Sequence, residues 1–183
     1  ENVDWNVGRV VSKLEELDLL ENTIILYFSD NGPNGHRWNG EMKGIKGSTD
    51  EGGVRSPTFI QWKGTLEAGK RISEIAAAID LLPTLTDLAG VLFEPEKNLD
   101  GKSLKPLLFD HKVEWEERSI VHHWGTKTSV RNQNFRLDQK DQLFHMTEDP
   151  NQTTDVTDLF PRVYKQMKSV KEGYITNVLG ELN

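Results

Sequence analysis

Residues 23–33 read Thr23-Ile24-Ile25-Leu26-Tyr27-Phe28-Ser29-Asp30-Asn31-Gly32-Pro33, a continuous apolar run that leads straight into a polar turn. The apolar part is rich in β-prone residues and lacks polar alternation, which is typical of a strand buried on both faces of a parallel sheet. Residues 3–20, just before it, repeat apolar side chains at the helical period. A helix, a short turn and a buried strand in this order predict an α/β architecture.

The polar turn supplies two candidate metal ligands, Asp30 and Asn31. Both follow the predicted strand directly, and sites in open α/β sheets form at the carboxyl ends of strands. Carboxylate and amide oxygens are ligands that Ca²⁺ prefers. A plain turn is the other interpretation, because Asn-Gly pairs favour turns by themselves. From these residues alone, both interpretations stay open.

A lysine between glycines is the second candidate feature, in Gly44-Ile45-Lys46-Gly47-Ser48. Flanking glycines let the backbone approach an anion closely, and an ammonium beside a hard cation suits a site for an anionic group. A solvated surface lysine is the alternative. The segment is not a phosphate-binding P-loop, since that motif requires Gly-Lys-Ser/Thr in this order. An EF-hand starting at Asp30 is disfavoured, since Gly32 at its third position has no side-chain oxygen.

Three further residues are candidates for contact with a substrate. His36 and Arg37, followed by Trp38, lie in a long loop of the kind that is usually functional in a compact domain. Arginine suits planar anions and tryptophan suits a sugar face. His123 is the third candidate. Because it adjoins His122 on a predicted strand, at most one of the two faces a given cleft. Incidental loop polarity and an ordinary strand histidine remain the alternatives.

The middle of the chain predicts four more elements. A strand is expected from Val54 to Trp62, with Pro57 limiting its pairing. A short strand is expected from Ile72 to Ile79. Asp80 then begins a predicted helix that reaches Ala89, with Gly90 after its end. A short helix is expected from Ser103 to Phe109.

Beyond Asp110 the sequence changes to short apolar segments separated by turn residues. They predict a small antiparallel sheet with strands at 118–123, 127–131, 134–138 and 142–146. Apolar residues at helical spacing from Phe160 to Val178 then predict a final amphipathic helix.

Composition excludes several classes of protein. The chain has 183 residues, of which 28% are charged, and its formal net charge of −7 argues against a nucleic-acid-binding surface. It has no cysteine, so disulfides, thiolate metal sites and cysteine nucleophiles are excluded. Its apolar runs are far shorter than the roughly 20 residues that a membrane-spanning helix needs.

The joint pattern resembles the type I sulfatases, formylglycine-dependent members of the alkaline-phosphatase superfamily. The resemblance covers nearly the whole chain and is most specific over residues 23–90. It is carried by Ser29-Asp30-Asn31-Gly32-Pro33, by the run Lys46 to Pro57, and by Ile79 to Leu85 with Leu88-Ala89-Gly90. It implies that residues 1–110 are the C-terminal part of a sulfatase-like α/β sheet domain. Residues 111–183 would be a small antiparallel α+β subdomain with a terminal helix.

The resemblance also implies roles for individual residues. Asp30 and Asn31 match the two later ligands of the active-site calcium ion. Lys46 matches the catalytic lysine that contacts the sulfate oxygens and stabilises the leaving oxygen. His36, Arg37 and His123 match no invariant position, so they remain substrate-side candidates only.

Partners and cofactors follow from the same resemblance. It implies a sulfated small molecule or glycan as substrate, the N-terminal half of the same enzyme as partner, and a periplasmic, secreted or lysosomal location. The family's nucleophile, formylglycine, arises from a Cys/Ser-x-Pro-x-Arg motif that this chain does not contain. The 183 residues alone are therefore expected to be inactive towards sulfate esters and to bind Ca²⁺ weakly.

Two rival functions stay open at this stage. One is a phosphoryl-transfer enzyme of the same superfamily. That branch commonly uses aspartate and histidine ligands with a second metal ion, so Asn31 favours a sulfatase. The other is a non-catalytic module that only packs against a partner.

Overall fold

The computed structural model describes residues 1–110 and 112–182. The chain divides into two compact units, one formed by Glu1–Phe28 with Pro57–Glu114 and the other by Ser29–Ser56 with the chain from Trp115 onward. The domains predicted from sequence, 1–110 and 111–183, stay a prediction, and residue 111 lies outside the described residues. Ser29–Ser56 belongs to the second unit because its hydrogen bonds tie it to that unit's sheet, as described below.

The first unit begins with helix α1, Asn2–Glu16, followed by a 3₁₀ turn at Leu20–Asn22. Strand β1, Ile25–Phe28, forms within the predicted apolar run. It pairs antiparallel with β2, Thr58–Gln61. The class of the fold is mixed α/β with antiparallel sheets.

Two details of the predicted strands are wrong. β1 was expected in a parallel sheet and buried on both faces, but Tyr27 and Phe28 are 38% and 42% exposed. In the described part of the chain, β2 alone pairs with β1, and the pairing is antiparallel rather than parallel. β2 begins at Thr58 rather than at Val54, because Pro57 lacks a donor and the residues before it form the helical turn α2, Glu51–Val54.

The strand predicted from Ile72 to Ile79 is also wrong, since no strand lies there among the described residues. The Asp80 carboxylate accepts hydrogen bonds from the Ala77 and Lys102 backbone N–H groups, each at 2.8 Å. These contacts hold Ala78–Asp80 in a 3₁₀ turn. Helix α3, Leu81–Leu88, then follows, and Gly90 adopts a positive φ just after it, as predicted. Helix α4 spans Lys105–Phe109.

The second unit contains the predicted four-stranded antiparallel sheet, with neighbours in sequence order. Its strands are β3 Ile120–Trp124, β4 Lys127–Arg131, β5 Phe135–Leu137 and β6 Leu143–His145. Helix α5, Pro161–Tyr174, continues as a π turn through Ile175–Leu179. The sheet and the terminal helix are both confirmed.

The core of the second unit lies between this sheet and α5. Val130, Leu137 and Leu143 are completely buried there, and Met167 from α5 packs against them. Side chains alternate across a strand, so Ser129 and Arg131 face the other side of the sheet. That opposite side is covered by the segment Thr49–Glu51 rather than by water. Within the described residues, no helix is long and apolar enough to cross a membrane.

Candidate functional site

The glycine-rich loop, defined as Ser29–Ser56, closes on itself. The Ser56 hydroxyl donates to the Ser29 carbonyl at 2.6 Å, and the Gly32 N–H donates to the Gly53 carbonyl at 2.9 Å. A Cβ placed on Gly32 would lie 1.8 Å from the Gly52 carbonyl oxygen. No side chain fits at that distance, so the contact between the two ends of the loop requires glycine.

The closed loop brings Lys46 to the turn that carries the two candidate ligands. The Lys46 backbone N–H donates to the Pro33 carbonyl at 3.1 Å, three residues after Asp30. The Lys46 side chain is exposed. Its ammonium makes no hydrogen bond or ion pair within the described part of the chain. A fixed backbone with a free ammonium is suited to meeting an external anion.

Asp30 and Asn31 present oxygen atoms from the same turn. The Asn31 Nδ2 donates to the Gly32 carbonyl at 2.8 Å, which leaves its Oδ1 free to accept or to ligate. Asp30 is exposed, and residues 1–110 and 112–182 offer its carboxylate no hydrogen bond or ion pair. These two oxygens fit the donor preference of Ca²⁺, which takes six to eight oxygen ligands. Two oxygens would be only part of such a ligand set, and the described residues form no cluster of three or more His, Cys, Asp or Glu.

A cleft of about 450 Å³ opens in the same loop, lined by residues 36–39 together with Met42, Gly44 and Ile45. Two predicted substrate-side residues, His36 and Arg37, therefore line the same cleft. Ile45 lines the cleft and directly precedes Lys46, so the cleft adjoins the lysine along the backbone. Asn39 was missed by the sequence analysis. Its Nδ2 donates to the Met42 carbonyl at 2.9 Å and lies 3.3 Å from the Gly44 carbonyl oxygen.

The two adjacent histidines lie on opposite faces of the sheet, as strand geometry requires. The His123 Nδ1 is 3.0 Å from the Thr128 hydroxyl, and its ring lies 6.1 Å from that of Tyr174 on α5. His123 is not one of the residues that line the cleft. Its role at the substrate stays a prediction.

His122 faces the glycine-rich loop. Burial, together with the nearby positive charge of Arg136, lowers the pKa of His122 to about 3. The ring is therefore neutral at ordinary pH. Its Nδ1 is buried without a hydrogen-bond partner in the described structure.

A buried ion pair holds the loop to the sheet. The Arg136 Nη2 lies 2.7 Å from the Glu51 Oε2, and the Arg131 Nε lies 3.3 Å from the same oxygen. Burial opposes ionisation of Glu51, but Arg136 and then Arg131 outweigh it and hold the pKa of Glu51 below its ordinary value. Arg136 also donates to the Thr49 carbonyl at 2.7 Å.

Further contacts from the hairpin of β3 and β4 reach the residues that follow Lys46. The Lys127 Nζ donates to the Gly47 carbonyl at 2.8 Å, and the Ser129 hydroxyl donates to the Thr49 carbonyl at 2.7 Å. None of these residues was singled out from sequence. The one sequence signal for these anchoring contacts was Arg136 between Phe135 and Leu137, which places a charged residue on the strand face opposite the apolar core.

The chain is a mixed α/β protein whose loop presents two candidate oxygen ligands, Asp30 and Asn31, and the ammonium of Lys46. The family model described as Sulfatase matches residues 1–91, a range that includes all three of these residues. Steryl-sulfatase from Rattus norvegicus is 36% identical over 140 residues, which is 71% of this chain and 24% of that protein.

Similar solved structures cover nearly the whole chain, including the four-stranded sheet and the terminal helix. The structure of Ps i-CgsB in complex with k-i-k-neocarrahexaose matches with a TM-score of 0.80 and 29% identity, covering 94% of this chain and 40% of that chain. The structure of BT4656 in complex with its substrate D-glucosamine-2-N,6-O-disulfate matches with a TM-score of 0.74 and 25% identity, covering 94% and 38%. The chain belongs to the sulfatase family. It spans about a quarter of the length of the curated relatives it matches.

Proposed function

We propose that the protein containing this chain hydrolyses sulfate esters, and that the chain contributes the calcium-ligating and leaving-group side of the active site. The observation that carries the proposal is the hydrogen bond from the Lys46 N–H to the Pro33 carbonyl. This bond holds the Lys46 backbone beside the turn that carries Asp30 and Asn31, and the exposed ammonium is proposed to reach the same anion. Family membership supports the same reading, because these residues lie within the matched range.

The chemistry assigned to each residue follows from charge. Negative charge grows on the bridging oxygen when a sulfate ester is cleaved, and a fixed ammonium such as that of Lys46 stabilises it most where it develops. Asp30 and Asn31 would hold Ca²⁺ through their side-chain oxygens. When bound, Ca²⁺ polarises the sulfate oxygens. The nucleophile expected for the family, formylglycine, is not part of this chain.

The substrate proposed is a sulfated small molecule or glycan. His36 and Arg37 line the same cleft as Ile45, the residue before Lys46, and are proposed to contact the group that carries the sulfate. His123 is retained as a third candidate for that group. The printed titles of two similar structures, a neocarrahexaose complex and a glucosamine disulfate complex, support a saccharide.

The N-terminal half of the same enzyme is the proposed partner. Strands β1 and β2 expose aromatic side chains, among them Phe59 at 64% and Phe28 at 42%, that a covering layer would bury. We also infer that residues 1–183 alone neither hydrolyse sulfate esters nor bind Ca²⁺ tightly, since they lack the nucleophile motif and offer two ligands. Appreciable turnover by the isolated polypeptide, abolished by Lys46→Ala, would overturn this inference.

The class of reaction is tested on the full-length protein produced with its maturation system. Release of 4-nitrophenol from 4-nitrophenyl sulfate and from 4-nitrophenyl phosphate is compared at equal concentrations. We expect turnover of the sulfate with little turnover of the phosphate. Preference for the phosphate would move the protein to the phosphoryl-transfer branch of the superfamily. Turnover of neither ester, nor of a panel of sulfated sugars, would favour a non-catalytic module.

A further inference from the structure

The geometry points to a second anion-binding position in the cleft at residues 36–39, which would make the preferred substrate a saccharide with an acidic group besides the sulfate that is cleaved. This inference rests on the proposed function and deepens it. Ile45, which directly precedes the proposed catalytic Lys46 in the chain, is one of the residues that line the cleft. The proposal is that a sugar whose sulfate lies at Lys46 occupies this cleft with its remaining groups.

The cleft is tied together by a side chain and has a size suited to a sugar. Asn39 donates to the Met42 carbonyl and lies close to the Gly44 carbonyl, so one side chain links three of the lining residues. The volume of about 450 Å³ falls within the range of small-molecule sites in proteins. A ligand of one or two sugar rings is the appropriate scale for it.

The wall of the cleft carries positive charge without a counter-charge. Arg37 is exposed, and the described residues provide its guanidinium with no hydrogen bond or ion pair. Glu41, the acidic residue of the same stretch, is not among the lining residues. An unpaired guanidinium offers a planar fork of donors that matches a sulfate or carboxylate group.

Trp38 supplies the recognition element for the sugar itself. It lines the cleft, yet 90% of its side chain is exposed, so no other described residue packs over the indole. An indole face beside a free guanidinium stacks on the apolar face of a sugar ring while the guanidinium binds an acidic substituent. Arg37 and Trp38 together therefore select a polyanionic saccharide rather than a neutral or monosulfated one.

Binding is tested by calorimetry on the full-length protein carrying Lys46→Ala, which should slow turnover of the probes by about a hundredfold. The probes are matched pairs of monosulfated and disulfated glucosamine and of monosulfated and disulfated galactose. We expect tighter binding of the disulfated member of at least one pair. Adding Arg37→Ala should weaken that binding by roughly tenfold to a hundredfold and remove the preference, because a charge-assisted hydrogen bond is lost. Adding Trp38→Ala should weaken both members of the pair equally.

Arg162→Ala is the matched control, because Arg162 is an exposed arginine on α5 of the same unit. It should leave the preference for the disulfated sugar unchanged. An unchanged preference in the Arg37→Ala variant, an equal loss for both sugars, or no binding of any disulfated probe would overturn the inference. If the preference depends on Arg37 but the full-length protein with Lys46 intact releases no sulfate from the same sugars, the proposed function alone is contradicted.

Discussion

Glu51 and Arg136 form a buried ion pair with 2.7 Å between Oε2 and Nη2, and this pair joins the glycine-rich loop to the four-stranded sheet. Both side chains are almost fully buried. Lys46 lies on the loop that this pair holds, so the position of the proposed catalytic lysine depends on Arg136 of the four-stranded sheet.

Breaking this pair should be strongly destabilising. We expect Arg136→Met to lower the free energy of unfolding of the full-length protein by about 3 kcal/mol, because Glu51 would stay buried with fewer charge partners. Urea unfolding measures the change. The matched variant is Arg55→Met, which removes an exposed partner 3.5 Å from the same carboxylate and should cost less than about 1 kcal/mol. Equal losses in the two variants would contradict the assignment of Arg136 as the main anchor.

The neutral His122 ring should make stability depend on pH. Its folded-state pKa of about 3 lies below its ordinary value of 6.5. As the pH falls from 6.5 towards 3, the unfolded chain binds a proton that the folded chain does not, so stability is lost in this window by up to about 1.4 kcal/mol per pH unit. We expect His122→Gln to flatten the profile of stability against pH by this contribution.

The effect is measured as the unfolding midpoint at pH 7, 6, 5 and 4. Carboxylates with lowered pKa values, such as Glu51, also make stability depend on pH, but they do so in both proteins, so the difference between variant and wild type reports His122. His36→Gln is the matched variant, since its ring is exposed. A His122→Gln profile parallel to that of wild type would show that the ring accepts a proton in the folded state.

The closed glycine-rich loop should have no room for a side chain at position 32. Gly32→Ala would place a methyl group 1.8 Å from the Gly52 carbonyl oxygen. We expect a loss of about 2 kcal/mol in stability, the scale of an overpacking substitution, together with reduced sulfate ester turnover. Gly8→Ala is the control, because a Cβ there meets nothing within 4 Å. Wild-type stability and turnover in Gly32→Ala would mean that the two ends of the loop do not meet as described.

Several elements follow from local sequence signals, and the failures have identifiable causes. The four strands of the C-terminal sheet were predicted because turn residues separate them and each is short. The strand expected at 72–79 fails because the Asp80 carboxylate captures the Ala77 and Lys102 N–H groups, and Lys102 lies 22 residues away in sequence. A local sequence pattern cannot predict a contact between residues so far apart in the chain.

In the candidate site, too, local signals could be predicted and contacts between distant residues could not. Asp30, Asn31 and Lys46 could be selected from sequence because their residue types and flanking glycines indicate a site for a cation and an anion. That Arg136 anchors the loop could not be predicted, since a charged residue alternating with Phe135 and Leu137 is typical of a solvent-facing position. The roles of His36, Arg37 and His123 stay predictions, although the first two do share the cleft.

Calcium binding to the full-length protein should depend on the oxygens of the turn. We expect Asp30→Asn to weaken Ca²⁺ affinity at least tenfold, because a charged oxygen ligand of a hard cation is replaced by a neutral one. Calorimetry after chelator treatment measures the affinity directly. Asp158→Asn, at an exposed aspartate of the same unit, is the control and should bind Ca²⁺ as wild type does. Equal affinity in the Asp30→Asn protein would remove Asp30 from the ligand set.

The most direct test of the proposed active site is the turnover of 4-nitrophenyl sulfate by Lys46→Ala in the full-length, matured protein. We predict that kcat/KM falls by about a hundredfold or more, the usual cost of removing a group that stabilises developing negative charge. Lys140→Ala, which removes an exposed lysine elsewhere in the same unit, should retain wild-type turnover. If Lys46→Ala hydrolyses the ester as efficiently as Lys140→Ala does, the assignment of Lys46 to the active site is contradicted.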